Sequence, residues 1–192
     1  HARGVATDAD GNVYVAGESL GDLCGPPAGL KDALLIKIDA EGNHEWSRRI
    51  GSSNAYTWWS DVAVGPAGHV VVVGSTNASL AEAGSNSGSR DIIVAKYAPD
   101  GTRDWLVQRG STTYDDAHGV AIDGSGNVFV TGRTFGALTG VNEGGWDAFL
   151  MKLDPTGAHQ WTHQFGTTGD DGALGLAVGA AGNAVVTGYT AG

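Results

Sequence analysis

One cysteine, Cys24, stands in the whole chain, so no disulfide can form within it and cysteine usage leaves the redox compartment open. Basic residues are scarce: 11 Lys and Arg face 21 Asp and Glu, for a net charge of −10. No basic stripe exists to displace counterions from a phosphate backbone, which excludes a nucleic-acid partner. No apolar run approaches the roughly 20 residues of a membrane span. No segment carries apolar residues at helical spacing over a useful length, and glycine interrupts every candidate, which excludes a helical solenoid. Neither an initiator Met nor a signal-peptide pattern precedes His1, so any targeting segment is expected to have been removed or never included. No serine sits in a nucleophile elbow, and Cys24 lies in a Gly-Pro-Pro loop without a histidine beside it.

Glycine is what the chain has in excess, 32 of 192 residues and about twice the average share. With no collagen-like triplet period, that much glycine marks many tight turns. Hydrophobic residues make up 41%, enough for a globular chain with one domain's core.

The organisation is a tandem repeat. Gly11-Asn12-Val13-Tyr14-Val15-Ala16-Gly17 returns at Gly68–Gly74, Gly126–Gly132 and Gly182–Gly188, at spacings of 57, 58 and 56 residues. A second signature, Asp32, Lys37, Gly42, Trp46 and Gly51, returns as Asp91, Lys96, Gly101, Trp105 and Gly110, then as Asp147, Lys152, Gly157, Trp161 and Gly166. Each unit holds four strand-like runs, a to d, which in the first copy are Gly4–Asp8, Asn12–Gly17, Asp32–Asp39 and His44–Gly51. Runs b and c are apolar on both faces and need cover on both sides. Run d is polar around its tryptophan, as suits an outer edge. The expected fold is all-β, a β-propeller of four-stranded antiparallel blades, with about 3.5 blades in residues 1–192. The expected blades are 4–60, 61–118 and 119–174, with half a blade at 175–192. Such a partial propeller implies, as partner, the remaining blades of a larger propeller or a second chain.

The pattern Gly-Asn-Val-Tyr-Val-x-Gly, a variable loop, then Asp-Ala-Phe/Leu-Leu-x-Lys-x-Asp-x-x-Gly-x-x-x-Trp resembles the bacterial SBBP (seven-bladed β-propeller) repeat family over almost the whole chain. The Lys-to-Trp stretch is also similar to the docking motif of quinoprotein dehydrogenase propellers, a likeness attributable to shared blade mechanics. The SBBP resemblance implies a bacterial exported or surface protein, hence an extracellular or cell-surface location, and a repeat without established catalytic residues.

Recurrence separates structural from functional candidates. Trp46, Trp105 and Trp161 occupy one repeat position and are expected to pack between blades. Asp32, Asp91 and Asp147 precede run c and are expected to accept backbone N–H bonds from the loop before it. Lys37, Lys96 and Lys152 could pair with aspartates of neighbouring blades. The Asp8-Ala9-Asp10-Gly11-Asn12 turn invites a calcium reading, but its other copies lose the carboxylates and keep the glycine, as a left-handed hairpin turn requires. His159 and His163, four apart on a strand, would lie roughly 13 Å apart and cannot share an ion. His118, beside Asp115 and Asp116, is expected to be solvated.

The a–b and c–d turns fall on one face and the long b–c loops and d–a links on the other. The links 52–60, 111–118 and 167–174 and the b–c loops carry the tryptophans outside the repeat register, Trp58, Trp59 and Trp146, together with Tyr114. Variable loops on a repeated scaffold are where binding concentrates. The expected ligand-binding residues are therefore Trp58, Trp59, Tyr114 and Trp146, with Asp115 and Asp171 as acceptors, for a protein or glycan ligand. No cofactor is expected; calcium at Asp115, Asp116, Asp170 and Asp171 is the weaker alternative. A propeller enzyme of lyase or lactonase type is a third reading. It would need His, Arg and acid groups on several inner strands, and Val5-Ala6-Thr7, Val62-Ala63-Val64, Val120-Ala121-Ile122 and Leu176-Ala177-Val178 carry almost none.

Overall fold

The computed structural model describes residues 1–80, 86–179 and 182–192. The second b–c loop and the fourth a–b turn of the sequence reading therefore lie partly outside the described residues. The strands are β1 (Ala2–Thr7), β2 (Val13–Ser19), β3 (Asp32–Ile38), β4 (His44–Ile50), β5 (Thr57–Val64), β6 (Val70–Thr76) and β7 (Asp91–Tyr97). They continue as β8 (Arg103–Arg109), β9 (Asp115–Ile122), β10 (Val128–Thr134), β11 (Asp147–Leu153), β12 (His159–Phe165), β13 (Asp171–Val178) and β14 (Ala184–Thr190). They form three four-stranded antiparallel sheets in chain order, β1–β4, β5–β8 and β9–β12, and a two-stranded sheet, β13–β14. The one helical element among the described residues is a 3-10 turn at Pro66–Gly68. The first strand of each later sheet lies against the first three strands of the sheet before it, so the sheets stack as consecutive propeller blades.

The core fills the spaces between blades. Tyr14, Leu35, Trp59, Val72 and Ile93 pack between the first two sheets, and Val73, Val94, Val130, Phe149 and Met151 between the next two. Strand β6 is buried at every position, as its unbroken valine run demands, whereas β12 is largely exposed. The a–b and c–d turns are held by glycines at positive φ, such as Gly11 (86°) and Gly101 (80°). Where an aspartate leads the turn, its carboxylate caps the turn: Asp8 Oδ1 accepts the N–H groups of Asp10 and Asn12 at 3.0 and 2.9 Å.

The blades begin sooner than expected. The divisions at 60/61, 118/119 and 174/175 fall inside β5, β9 and β13, because the inner strands start at Thr57, Asp115 and Asp171. Each inner strand is also bulged at one recurring position. Pairing skips Arg3, Ser60, His118 and Leu174 in turn, opposite the last glycine of the Gly-Asn-Val motif. A Cβ at Gly17, Gly74, Gly132 or Gly188 would stand 1.8–2.0 Å from the carbonyl oxygen of His1, Trp58, Asp116 or Gly172. Only glycine lets the bulged backbone come this close.

The recurrent tryptophans link one blade to the next. Trp46 Nε1 donates to the Pro99 carbonyl, and Trp105 Nε1 to the Pro155 carbonyl, both at 3.1 Å. The same two carbonyls accept Lys37 Nζ (3.5 Å) and Lys96 Nζ (3.2 Å). The lysines thus reach backbone oxygens of the next blade rather than its aspartates. Their ion pairs stay at home, Lys37 with Glu45 at 2.8 Å and Lys96 with Asp104 at 3.9 Å, while Lys152 lies over the Phe129 ring at 5.1 Å. Trp161 is half-buried against Phe129 and His163.

Trp46→Ala removes both the ring and the hydrogen bond and should cost about 3–5 kcal/mol, whereas Trp46→Phe should cost nearer 1 kcal/mol. Urea unfolding of the two variants measures the difference, and equal losses would show that the bond to Pro99 contributes nothing beyond ring packing.

Candidate binding face

Each four-stranded blade carries a buried aspartate at the start of its third strand. Asp32, Asp91 and Asp147 are fully buried, and each accepts the N–H four residues before it, from Ala28 (2.8 Å), Ser87 (2.9 Å) and Glu143 (3.1 Å). The same Oδ2 atoms take a donor from the outer strand: Arg49 at 2.8 Å, Gln108 at 3.0 Å and Gln164 at 2.8 Å. Gln108 and Gln164, expected as edge polar groups, also hold the b–c loop through Leu80 N and Leu138 N. Beside each carboxylate lies Gly51, Gly110 or Gly166, where a Cβ would stand 1.8, 2.3 or 2.2 Å from Oδ1. The clamp fixes the base of every long loop.

On that base sits a layer of buried charge. Glu18, 4% exposed, is held by Arg3 at 2.5 and 3.0 Å and by Lys31 at 3.5 Å. Burial opposes its ionisation, but the hydrogen bonds and charge of Arg3, with Lys31, hold its carboxyl below the usual range. On the inner strand of the third blade, Asp116, 5% exposed, pairs with Arg90 at 2.7 Å and Arg133 at 3.4 Å. Arg90 is flanked by two rings, 5.0 Å from the Trp58 centroid and 5.4 Å from that of Tyr114. Lys31 bridges Tyr56 and Arg90 bridges Tyr114 in parallel pairings that tie each b–c loop to the next blade link. Between them opens a cavity of about 430 Å³, lined by Arg3, Lys31, Tyr56, Trp58, Asn77, Ser89, Arg90 and Tyr114.

Trp58 and Tyr114, singled out from the sequence, meet in this cavity, half-buried and 45% exposed respectively. Trp59 does not: it points into the core, fully buried, where the later blades have Ala117 and Ala173. Trp146 lies elsewhere on the face, edge-on to Phe135 at 5.5 Å and under Arg133 at 4.1 Å. Asp115 is no surface acceptor, being buried and bound by Ser111 N (2.7 Å), Ser111 Oγ (3.0 Å) and Thr134 Oγ1 (2.5 Å). Asp171 is likewise buried and accepts Thr167 N at 2.6 Å and Oγ1 at 2.9 Å. Asp170 accepts Trp146 N at 3.1 Å. Among the described residues, no group of three or more His, Cys, Asp and Glu is placed to share a metal ion.

Sequence reasoning placed Tyr56 on this face without counting it among the ligand contacts, and it missed Arg3, Lys31, Asn77, Ser89 and Arg90. The signal was present: Lys31 and Arg90 immediately precede the recurrent aspartates, and Tyr56 and Tyr114 share a repeat position. The inner strands are also less bare than expected, since their early start brings in Arg3, Trp58, Asp116 and His118. His118 is not solvated as expected. Its ring is half-buried at the bulge, and Nε2 is buried without a hydrogen-bond partner among the described residues.

With this geometry in view, known proteins can be compared. The SBBP β-propeller repeat profile matches residues 2–23 and 104–137. These two segments carry the SBBP β-propeller repeat. Regulatory protein FlaEY of Caulobacter vibrioides is 31% identical over 198 residues, covering 92% of this chain and 21% of FlaEY. The chain thus spans about a fifth of that relative's length. A Bacteroides caccae protein of unknown function superposes with a TM-score of 0.54 at 13% identity, over 97% of this chain and 52% of that one, a likeness of fold. A Synechocystis apocarotenoid oxygenase mutant superposes at 0.46 with 11% identity, over 98% and 49%, too loosely to carry an argument. The copies within this chain differ where the cavity lies: at the bulge, at the residue before the clamp aspartate and along the blade link.

Two outcomes follow. Gly110→Ala should destabilise the chain by more than about 2 kcal/mol, because its Cβ would meet Asp91 Oδ1 at 2.3 Å within a buried clamp; an unchanged melting temperature would exclude the clamp as a structural requirement. Burial pushes the His118 imidazole below its ordinary 6.5, with Asp116 opposing and Arg133 and Arg3 assisting. The unfolded chain then binds the proton first, so stability should fall as pH drops below about 6.5 towards the lower folded value. His118→Gln should flatten the melting-temperature profile in that window, and an unaltered slope would place the titration elsewhere.

Proposed function

We propose that this chain is part of a non-catalytic β-propeller binding module of a bacterial exported or surface protein, contacting a protein or glycan ligand through the b–c and d–a face. The observation that carries this reading is the cavity among three inner strands, where Tyr56, Trp58 and Tyr114 stand beside hydrogen-bonding side chains on a loop base fixed by the aspartate clamps. Clefts of a few hundred cubic ångströms with aromatic walls and a few placed polar groups are the usual form of ligand sites. The name of FlaEY, a regulatory protein, is in keeping with a binding role. The extracellular or surface location rests on the resemblance of the repeat.

The flanks of the stack call for a partner as well. β14 pairs on one side only among the described residues, and a cavity of about 440 Å³ lies along it, lined by Phe165, Ala173, Val186 and Tyr189 among others. Val5, Leu174 and Val185 are 67%, 55% and 63% exposed. The remaining blades of a larger propeller, or a second chain, would cover these surfaces. No helix among the described residues is long and apolar enough to cross a membrane.

The test is ligand capture by the full-length protein on glycan and bacterial-surface protein arrays. Trp58→Ala and Tyr114→Ala should each weaken the captured interaction about tenfold or more, the loss typical of a central aromatic contact. Trp146→Ala should weaken it less. Binding that survives both Trp58→Ala and Tyr114→Ala would overturn the assignment of the face.

A further inference from the structure

Resting on that reading of the face, we propose that the cavity between the first three inner strands takes a sugar carrying a carboxylate. In a chain of net charge −10, the cavity wall has three cations, Arg3, Lys31 and Arg90, and no anion among the described residues. The local balance is positive because, among the described residues, Arg3, Lys31, Arg90 and Arg133 share two carboxylates, Glu18 and Asp116. Both acids lie beneath the cations, 4% and 5% exposed, and orient them without closing the cavity. Arg3 and Arg90 keep side-chain exposures of 44% and 32%. Guanidinium groups fixed in this way suit a ligand carboxylate, since their planar forks can bind both of its oxygens.

A sugar fits better than an acidic peptide. Peptides that join a sheet need free backbone donors and acceptors at an edge. Here the backbone around the cavity is already paired: Thr57 N with Lys31 O, Asn77 N with Tyr56 O, Asp115 N with Arg90 O and Phe135 N with Tyr114 O, at 2.8–3.2 Å. Recognition must come from side chains. Tyr56 and Tyr114, each 45% exposed, offer aromatic surface to the apolar side of a sugar. Asn77, whose Oδ1 accepts Tyr56 N at 2.8 Å, keeps its NH₂ for a hydroxyl, and Ser89 adds a second polar group. The volume of about 430 Å³ holds a compact ligand of one or two rings.

The experiment presents the full-length protein with immobilised uronic- and sialic-acid oligosaccharides, their methyl esters, neutral oligosaccharides and Asp/Glu-rich peptides. The expected result is binding to acidic sugars that falls at least about tenfold on esterification, since a buried charge-assisted contact is lost. It should also weaken as salt rises from about 0.05 to 0.5 M. Arg90→Gln should abolish it. Because Arg90 also holds Asp116, Lys31→Gln is the second variant: Lys31 is 3.5 Å from Glu18, which Arg3 holds more closely, so this change should weaken acidic-sugar binding several-fold with only a small drop in melting temperature. Esters or neutral sugars bound as well as the acids, peptides bound better, or no acidic sugar bound at all would each overturn the proposal. A neutral or protein ligand lost in Trp58→Ala and Tyr114→Ala but kept in Lys31→Gln would refute the carboxylate while leaving the binding face standing. A ligand indifferent to all four variants would remove both.

Discussion

The structure depends on a steric constraint in the backbone, the approach of a bulged inner strand to a glycine on its neighbour. At each blade a carbonyl oxygen occupies the place a side chain would take, 1.8–2.0 Å from the Cβ that Gly17, Gly74, Gly132 and Gly188 lack. The bulge lets an inner strand change pairing register part-way, so that its second half packs as an apolar ribbon while its first half presents polar and aromatic side chains. Arg3, Trp58, Asp116 and His118 owe their positions to it. The glycine is a requirement of backbone approach rather than of φ, which distinguishes it from the turn glycines.

Above the bulges, buried charge is made tolerable by repetition of one device. A carboxylate without water needs its oxygens filled. Asp32, Asp91 and Asp147 fill Oδ2 from two directions, while Oδ1 stands against a glycine, buried without a hydrogen-bond partner among the described residues. The loops gain a fixed base in exchange, and on that base the blades differ freely: Lys31, Arg90 and Trp146 are successive occupants of one position. A scaffold of this kind separates what must recur from what can specialise.

The repeat made the architecture legible, because a packing problem that recurs leaves the same residue each time. Blade order, glycine turns, inter-blade tryptophans and clamp aspartates all follow from recurrence. The site was less legible, for a physical reason. Thr57-Trp58 and Asp115-Asp116 look like linker because they are polar or bulky and irregular, yet they pair as strand once the bulge is made. Trp59 was misleading in the opposite sense. It is unique among the copies not because it meets a ligand but because it is buried in the core at a position where the later blades have Ala117 and Ala173. Asp115 and Asp171 look exposed in sequence, yet neighbouring hydroxyls and N–H groups take their oxygens.

The tryptophan link has a handedness of purpose. Trp46 gives its N–H forward to the Pro99 carbonyl, and Trp105 gives forward to Pro155; among the described residues no indole donates to the blade before it. Donor side and acceptor side are therefore different surfaces, and the contact is heterologous, head to tail. Two copies related by a twofold axis would set donor against donor. A blade added to the stack through this contact would present a turn carbonyl to Trp161 on one side, or an indole to the turn at Ala40, which holds the repeat position of Pro99 and Pro155, on the other. Growth by this contact adds one wedge angle per blade in a single rotational sense, and it ends only when the last indole finds the first turn.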